Sequence, residues 1–125
     1  MKIQDILSVF LGAVLLLIAA LWIFTPKFAA EQLYMDFLEG YGRNTQIRDF
    51  TAFFLGTAIM SFLSLITKKY EWIFSVGIIY LLAAIFNVLA SLNHDAPLAI
   101  SSLVSEIIFF SIAFAASALY KSSDL

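Results

Sequence analysis

The chain has no cysteine, one histidine, two prolines and five glycines in 125 residues. Charged residues make up 13% of it, against about 25% in an average soluble domain. Each shortage removes a class of protein. Without cysteine there is no disulfide scaffold. One histidine and no thiol leave no ligand set for a haem, zinc or iron–sulfur centre, so no cofactor or metal is expected. A net charge of −2 and the lack of a basic stripe exclude a nucleic-acid binder. There is no phosphate-binding loop, no nucleophile elbow and no zinc-protease motif.

What the chain has in excess is apolar surface. Hydrophobic residues make up 62% and the mean hydropathy is +0.97. That excludes a disordered chain, and so short a chain cannot hide so many apolar side chains in a core of its own. Four long stretches, Ile6–Phe24, Phe50–Thr67, Trp72–Leu92 and Pro97–Tyr120, hold 82 of the 125 residues and one charge, Glu106. About 20 apolar residues in a helix cross a hydrocarbon layer about 30 Å thick. Within lipid the backbone must satisfy its own hydrogen bonds, which makes such segments helices. The expectation is an all-α polytopic membrane protein. A single integral domain, 1–125, would form an antiparallel four-transmembrane-helix bundle with spans near 6–24, 47–67, 72–92 and 97–120. The first stretch exceeds the 7–15 residues of a signal-peptide core and reads as a retained span.

Aromatic residues mark the two interfaces: Trp22, Phe24, Tyr34 and Tyr41 on one side, Tyr70, Trp72 and Tyr120 on the other. Lys2, Lys68, Lys69 and Lys121 lie on the side of the termini, against Lys27, Arg43 and Arg48 opposite. The positive-inside rule then puts both termini in the cytoplasm. In the first outer loop Pro26 starts a short amphipathic helix. Phe28, Tyr34, Phe37 and Leu38 alternate there with Glu31, Gln32, Asp36 and Glu39, and Gly40 and Gly42 are read as its stop. Asn44 or Thr45 is the expected cap of the next span. Gly12, Gly56 and Gly77 read as close-packing positions between helices.

Ionisable groups at membrane depth are costly, and Glu106 is the one such group inside a predicted span. Counted from the start of its span it lies roughly 15 Å deep. Ser102, Glu106, Phe109 and Ala113 share a face of the last helix. Tyr80, Asn87, Ser91 and His94 form a stripe on the third, and Arg48 stands at the outer rim of the second. These residues outline a polar pocket in the outer half of the bundle. Glu106 is its candidate catalytic acid or base, and Arg48, Asn87, Ser91, Ser102, Tyr80 and His94 are its candidate ligand contacts. For each there is a simpler role: Glu106 and Asn87 as hydrogen-bonding glue between helices, Arg48 as a snorkelling cation, His94 as a solvated turn residue, and the serines bonded to their own backbone.

Pro26 after the first span, Asn44 to Arg48 leading into Phe50, Leu55 and Gly56, and Val104-Ser105-Glu106 in the last helix make a pattern over nearly the whole chain. It resembles a family of small four-helix bacterial membrane proteins of unknown function grouped with the DoxX-like superfamily. Ala52-Phe53 stands where that family usually has a glycine pair, and Asn87 near a position where it often has arginine. The resemblance implies a four-helix bundle with Arg48 and Glu106 as shared polar positions. Some DoxX-like relatives have been linked to quinone-coupled oxidoreductase complexes, an analogy of fold.

Three functions compete. The first is binding, or proton-transfer chemistry, on a small lipophilic molecule such as a quinone, isoprenoid or sterol-like compound. The second is an accessory or scaffold subunit packed against a membrane partner protein. The third is a small transporter working as a homo-oligomer. All three share the lipid bilayer as a partner, and none involves nucleic acid.

Overall fold

The structure is a computed structural model in which residues 1–123 are described. Five helices follow in order: α1 (Ile3–Phe24), α2 (Pro26–Gln32), α3 (Gly40–Thr67), α4 (Tyr70–Asn93) and α5 (Ile100–Ser123). Among the described residues there is no strand. All but α2 are long and apolar enough to cross a membrane. They form an antiparallel four-helix bundle, and the protein is a multi-pass membrane protein.

α1 carries its buried residues at helical spacing: Leu11, Leu15, Ala19 and Trp22 turn inward, while Leu16, Leu17 and Ile23 turn outward. α4 buries Ile73, Val76, Gly77 and Tyr80, and α5 buries Ala113, Ala116, Ser117 and Tyr120. Large apolar side chains on the opposite faces, such as Phe86, Ile107 and Ile108, remain exposed, as a surface solvated by lipid requires. Between lipid-facing helices association rests on close packing and hydrogen bonds, which favours small interface residues. A Cβ on Gly77 would stand 2.5 Å from the Phe114 ring, and one on Gly12 would stand 2.8 Å from Phe62. Gly56 differs: its surroundings are open, so it is not a close-packing position.

α1 packs most extensively on α3, and α4 on α5; the contacts of α1 with α5 and of α3 with α4 are smaller. The bundle is therefore two helix pairs laid side by side. At the end that holds both termini and the α3–α4 turn, called here the terminal end, a polar network joins the pairs. Asp5 accepts from Lys68 Nζ at 2.8 Å and from the Tyr120 hydroxyl at 2.8 Å. Gln4 donates to Ser123 Oγ at 3.1 Å. Ser64 Oγ donates to Lys69 O at 2.7 Å and accepts from Ile73 N–H at 2.9 Å, stitching the turn itself.

The opposite, loop end departs from the sequence expectation. α2 stops at Gln32 instead of running toward Gly40. Tyr34 takes the left-handed conformation (φ 57°), with Tyr34 N–H bonded to Glu31 O and Met35 N–H to Ala30 O, both at 3.0 Å. This paired closure ends a helix and normally uses glycine, so Tyr34 gives no such signal in sequence. The segment after it is held out of helix by Gln46, a buried side chain that donates to Asp36 O and accepts from Leu38 N–H, both at 3.0 Å. Arg43 adds a bond to Leu38 O at 2.8 Å. Gly40, expected to stop a helix, instead begins α3 with φ +59°. Neither Asn44 nor Thr45 caps, because both already lie inside the helix. The last span starts at Ile100, three residues after Pro97.

Candidate functional site

The two helix pairs part at the loop end around a cavity of about 530 Å³. It is lined from all four spans, and Ala29, Gln32 and Leu33 of the first loop also contribute. Its aromatic walls come from Trp22, Phe50, Phe53, Phe54, Tyr80 and Phe109. Trp22 stacks on Phe50 with ring centroids 4.8 Å apart, which fixes one wall. Tyr80 meets Phe53 and Phe109 edge-on at 5.1 and 5.2 Å and donates to or accepts from Thr57 Oγ1 at 2.9 Å, which fixes another. Such edge-to-face and offset pairs hold rings in defined orientations.

The polar part of the lining is concentrated on the first two turns of α5: Ser101, Ser102, Ser105 and Glu106, with Asp49 of α3 also contributing. Helical spacing brings Ser102, Glu106 and Phe109 to one face, as the sequence predicts. Glu106 lies about 9 Å along α5 by helix rise, shallower than a count from Pro97 gives, because the helix begins later. Its Oε2 is buried and has no hydrogen-bond partner in the protein. The indole Nε1 of Trp22, a residue with 0% exposure, is in the same condition. Buried polar atoms without partners are uncommon in folded proteins; here two of them belong to residues that line one cavity.

The other sequence candidates divide. Tyr80 lines the cavity at 1% exposure. Asn87 faces the start of α5 and holds it: its amide donates to Ala99 O at 3.0 Å, and its carbonyl accepts from Ala99 N–H at 3.1 Å. This fixes the loop before α5, and the Asn87 side chain also reaches the Glu106 carboxyl group, without itself lining the cavity. Arg48 is exposed and turned toward Asp49, with Nε 2.9 Å from Oδ1. Ser91 is half-buried away from the cavity, and His94 is exposed at the carboxyl end of α4. The structure does not bring these three to the cavity. Stripe membership fixes a direction around α4, but the cavity reaches that helix only at Tyr80 and Ala83.

Two features of the structure were not among the candidates. Trp22 stood with the interfacial aromatics, yet it continues the Leu11, Leu15, Ala19 spacing, and that periodicity places it inside. The Asp5–Lys68–Tyr120 network had no signal, since 115 residues separate Asp5 from Tyr120. Among the described residues no group of His, Cys, Asp and Glu is placed to hold a metal. No family model, curated protein or solved structure matches the chain.

Proposed function

We propose that the protein binds a small, mostly apolar molecule in the loop-end cavity, with Glu106 as its principal polar contact and as the candidate donor or acceptor of a proton. A cavity of this size falls in the range that takes small ligands. Apolar walls with a few convergent polar groups are the usual composition of such sites. The observation that carries the reading is the pair of buried, unpartnered polar atoms, Glu106 Oε2 and Trp22 Nε1, in two residues that line one aromatic cavity. A carboxyl group at membrane depth is costly and calls for a partner or a task. Ser102 and Tyr80 complete the lining, and Asn87 holds the backbone that carries Glu106.

Membership of the DoxX-like superfamily belongs to the same proposal. It is supported by the four-span topology and by the places of Pro26, Arg48 and Glu106 in it. So does residence in a bacterial cytoplasmic membrane with both termini cytoplasmic. Lys2, Lys68, Lys69 and Lys121 at the terminal end support that orientation against Lys27, Arg43 and Arg48 at the loop end.

The chain has two tryptophans. In a Trp72→Phe background Trp22 alone reports, from within the cavity wall. The protein in lipid nanodiscs is titrated with decylubiquinone, farnesol and tetraphenylphosphonium. A saturable fluorescence change with at least one probe is expected, abolished when Ala83→Phe fills the cavity. Responses no different from those of Ala83→Phe, with all three probes, would overturn the proposal.

A further inference from the structure

The charges around the cavity are of one sign. Its charged lining residues are Glu106 and Asp49; among the described residues no lysine, arginine or histidine lines it. Asp49 stands exposed and is offset by Arg48 at 2.9 Å. Glu106 has no basic partner at all, and its Oε2 is without a hydrogen bond. The cavity walls carry six aromatic side chains, whose π-faces attract cations and repel anions. The three serines on α5 offer hydroxyl oxygens as further acceptors. One of them, Ser105, already donates to Ser101 O at 3.2 Å, which leaves its oxygen lone pairs free.

We infer that the cavity selects a lipophilic organic cation, an aliphatic or aromatic amine or onium compound, whose positive centre pairs with Glu106. The inference rests on the binding proposal and narrows it. A neutral quinone or alcohol would satisfy the apolar walls and one hydrogen bond, but it would leave Glu106 either held in its protonated form or an uncompensated carboxylate in a low-dielectric site. A cation removes that cost, and the aromatic rings hold its apolar substituents. A neutral amine arriving from the lipid reaches the same state by taking the carboxyl proton of Glu106. An N–H bond forms, the O–H bond breaks, and an ammonium–carboxylate pair remains. The amino end of α5 lends the opposite sign, a partial positive charge confined to its first turn. An anion is therefore the competing occupant.

Tetraphenylphosphonium and tetraphenylborate have nearly the same shape and opposite charge, so together they isolate the sign. Binding of each, and of neutral decylubiquinone, is measured by Trp22 fluorescence in nanodiscs of the Trp72→Phe protein, against empty discs. The expected result is saturable binding of tetraphenylphosphonium and none of tetraphenylborate. Glu106→Gln should weaken the cation at least about tenfold, since it removes one partner of a desolvated charge pair. Asp49→Asn should weaken it less, about twofold, as a solvated rim charge. Circular dichroism and gel filtration check that both variants remain folded. Tetraphenylborate or decylubiquinone binding in preference to the cation would overturn the inference while leaving the binding proposal standing. Tetraphenylphosphonium binding unchanged in folded Glu106→Gln would also overturn it. Failure of every probe would remove both.

Discussion

The two ends of the bundle differ in how many of their buried polar groups find partners. At the terminal end Asp5, Gln4, Ser64 and Tyr120 are buried and hydrogen-bonded across helices. At the loop end a cavity lies between the helix pairs, and buried polar atoms of two of its lining residues stay unpartnered. Of the four buried side-chain polar atoms without a partner among the described residues, Trp22 Nε1, Thr51 Oγ1 and Glu106 Oε2 lie in the loop half; only Ser8 Oγ lies toward the other end. A satisfied polar network rigidifies and specifies packing, whereas an unsatisfied one is a standing cost. The terminal end therefore acts as the clamp of the bundle, and the loop end is where buried polar atoms around the cavity carry an unmet cost.

Substitutions can break this contrast. Tyr120→Ala strikes the clamp hardest. It removes a side chain at 1% exposure and its bond to Asp5, so stability should fall by about 3 kcal/mol, read as a lower unfolding temperature in detergent. Probe binding at the other end should survive below that temperature. Loss of binding at temperatures where the variant is folded would show the two ends to be one cooperative unit. Gly77→Ala places a methyl 2.5 Å from the Phe114 ring and should lower stability by about 2 kcal/mol through overpacking, in the same assay.

Asn87→Ala removes two hydrogen bonds to Ala99 and should lower stability by about 1–2 kcal/mol. Its more specific mark is faster amide exchange in residues 95–103 than in the rest of α5. Uniform exchange along α5 would mean that the clasp does not fix the polar wall. Glu106→Leu has the opposite sign. Replacing a carboxyl with an unpartnered oxygen by an apolar group should raise the unfolding temperature, by an amount worth about 1 kcal/mol, while abolishing cation binding. A fall in stability would make Glu106 a structural member of the bundle and erase the contrast. Gly56→Ala, with nothing within 4 Å of its added Cβ, should change stability by less than about 0.5 kcal/mol.

These variants also mark what could be read in the sequence. Four apolar stretches gave four helices because transfer of side chains to lipid is a sum over neighbours in the chain, legible in any window of about 20 residues. Glu106 was visible as the exception to that sum, and its face of α5 followed from helical period. The glycines show the limit: Gly12, Gly56 and Gly77 look alike in sequence, yet only two of them meet a ring. The length of α2 is not legible in the sequence because its stop is a left-handed Tyr34 where glycine is the usual signal. The side chain that organises the loop beyond it, Gln46, resembles any polar residue at a helix start.

The sequence by itself determined that this chain lives in a membrane, how many times it crosses, and which one charged residue lies inside a predicted span. Only the tertiary structure decided that Asp5 meets Tyr120, that Arg48 and His94 stay outside, that Asn87 serves the backbone of α5, and that Trp22 joins Glu106 on one cavity. The reason is physical. Hydrophobic burial is additive and nearly local, so composition along the chain predicts it. A hydrogen bond or ion pair exists only when two groups come within about 3 Å in the right orientation, and for residues far apart in sequence that distance is set by the packing of whole helices.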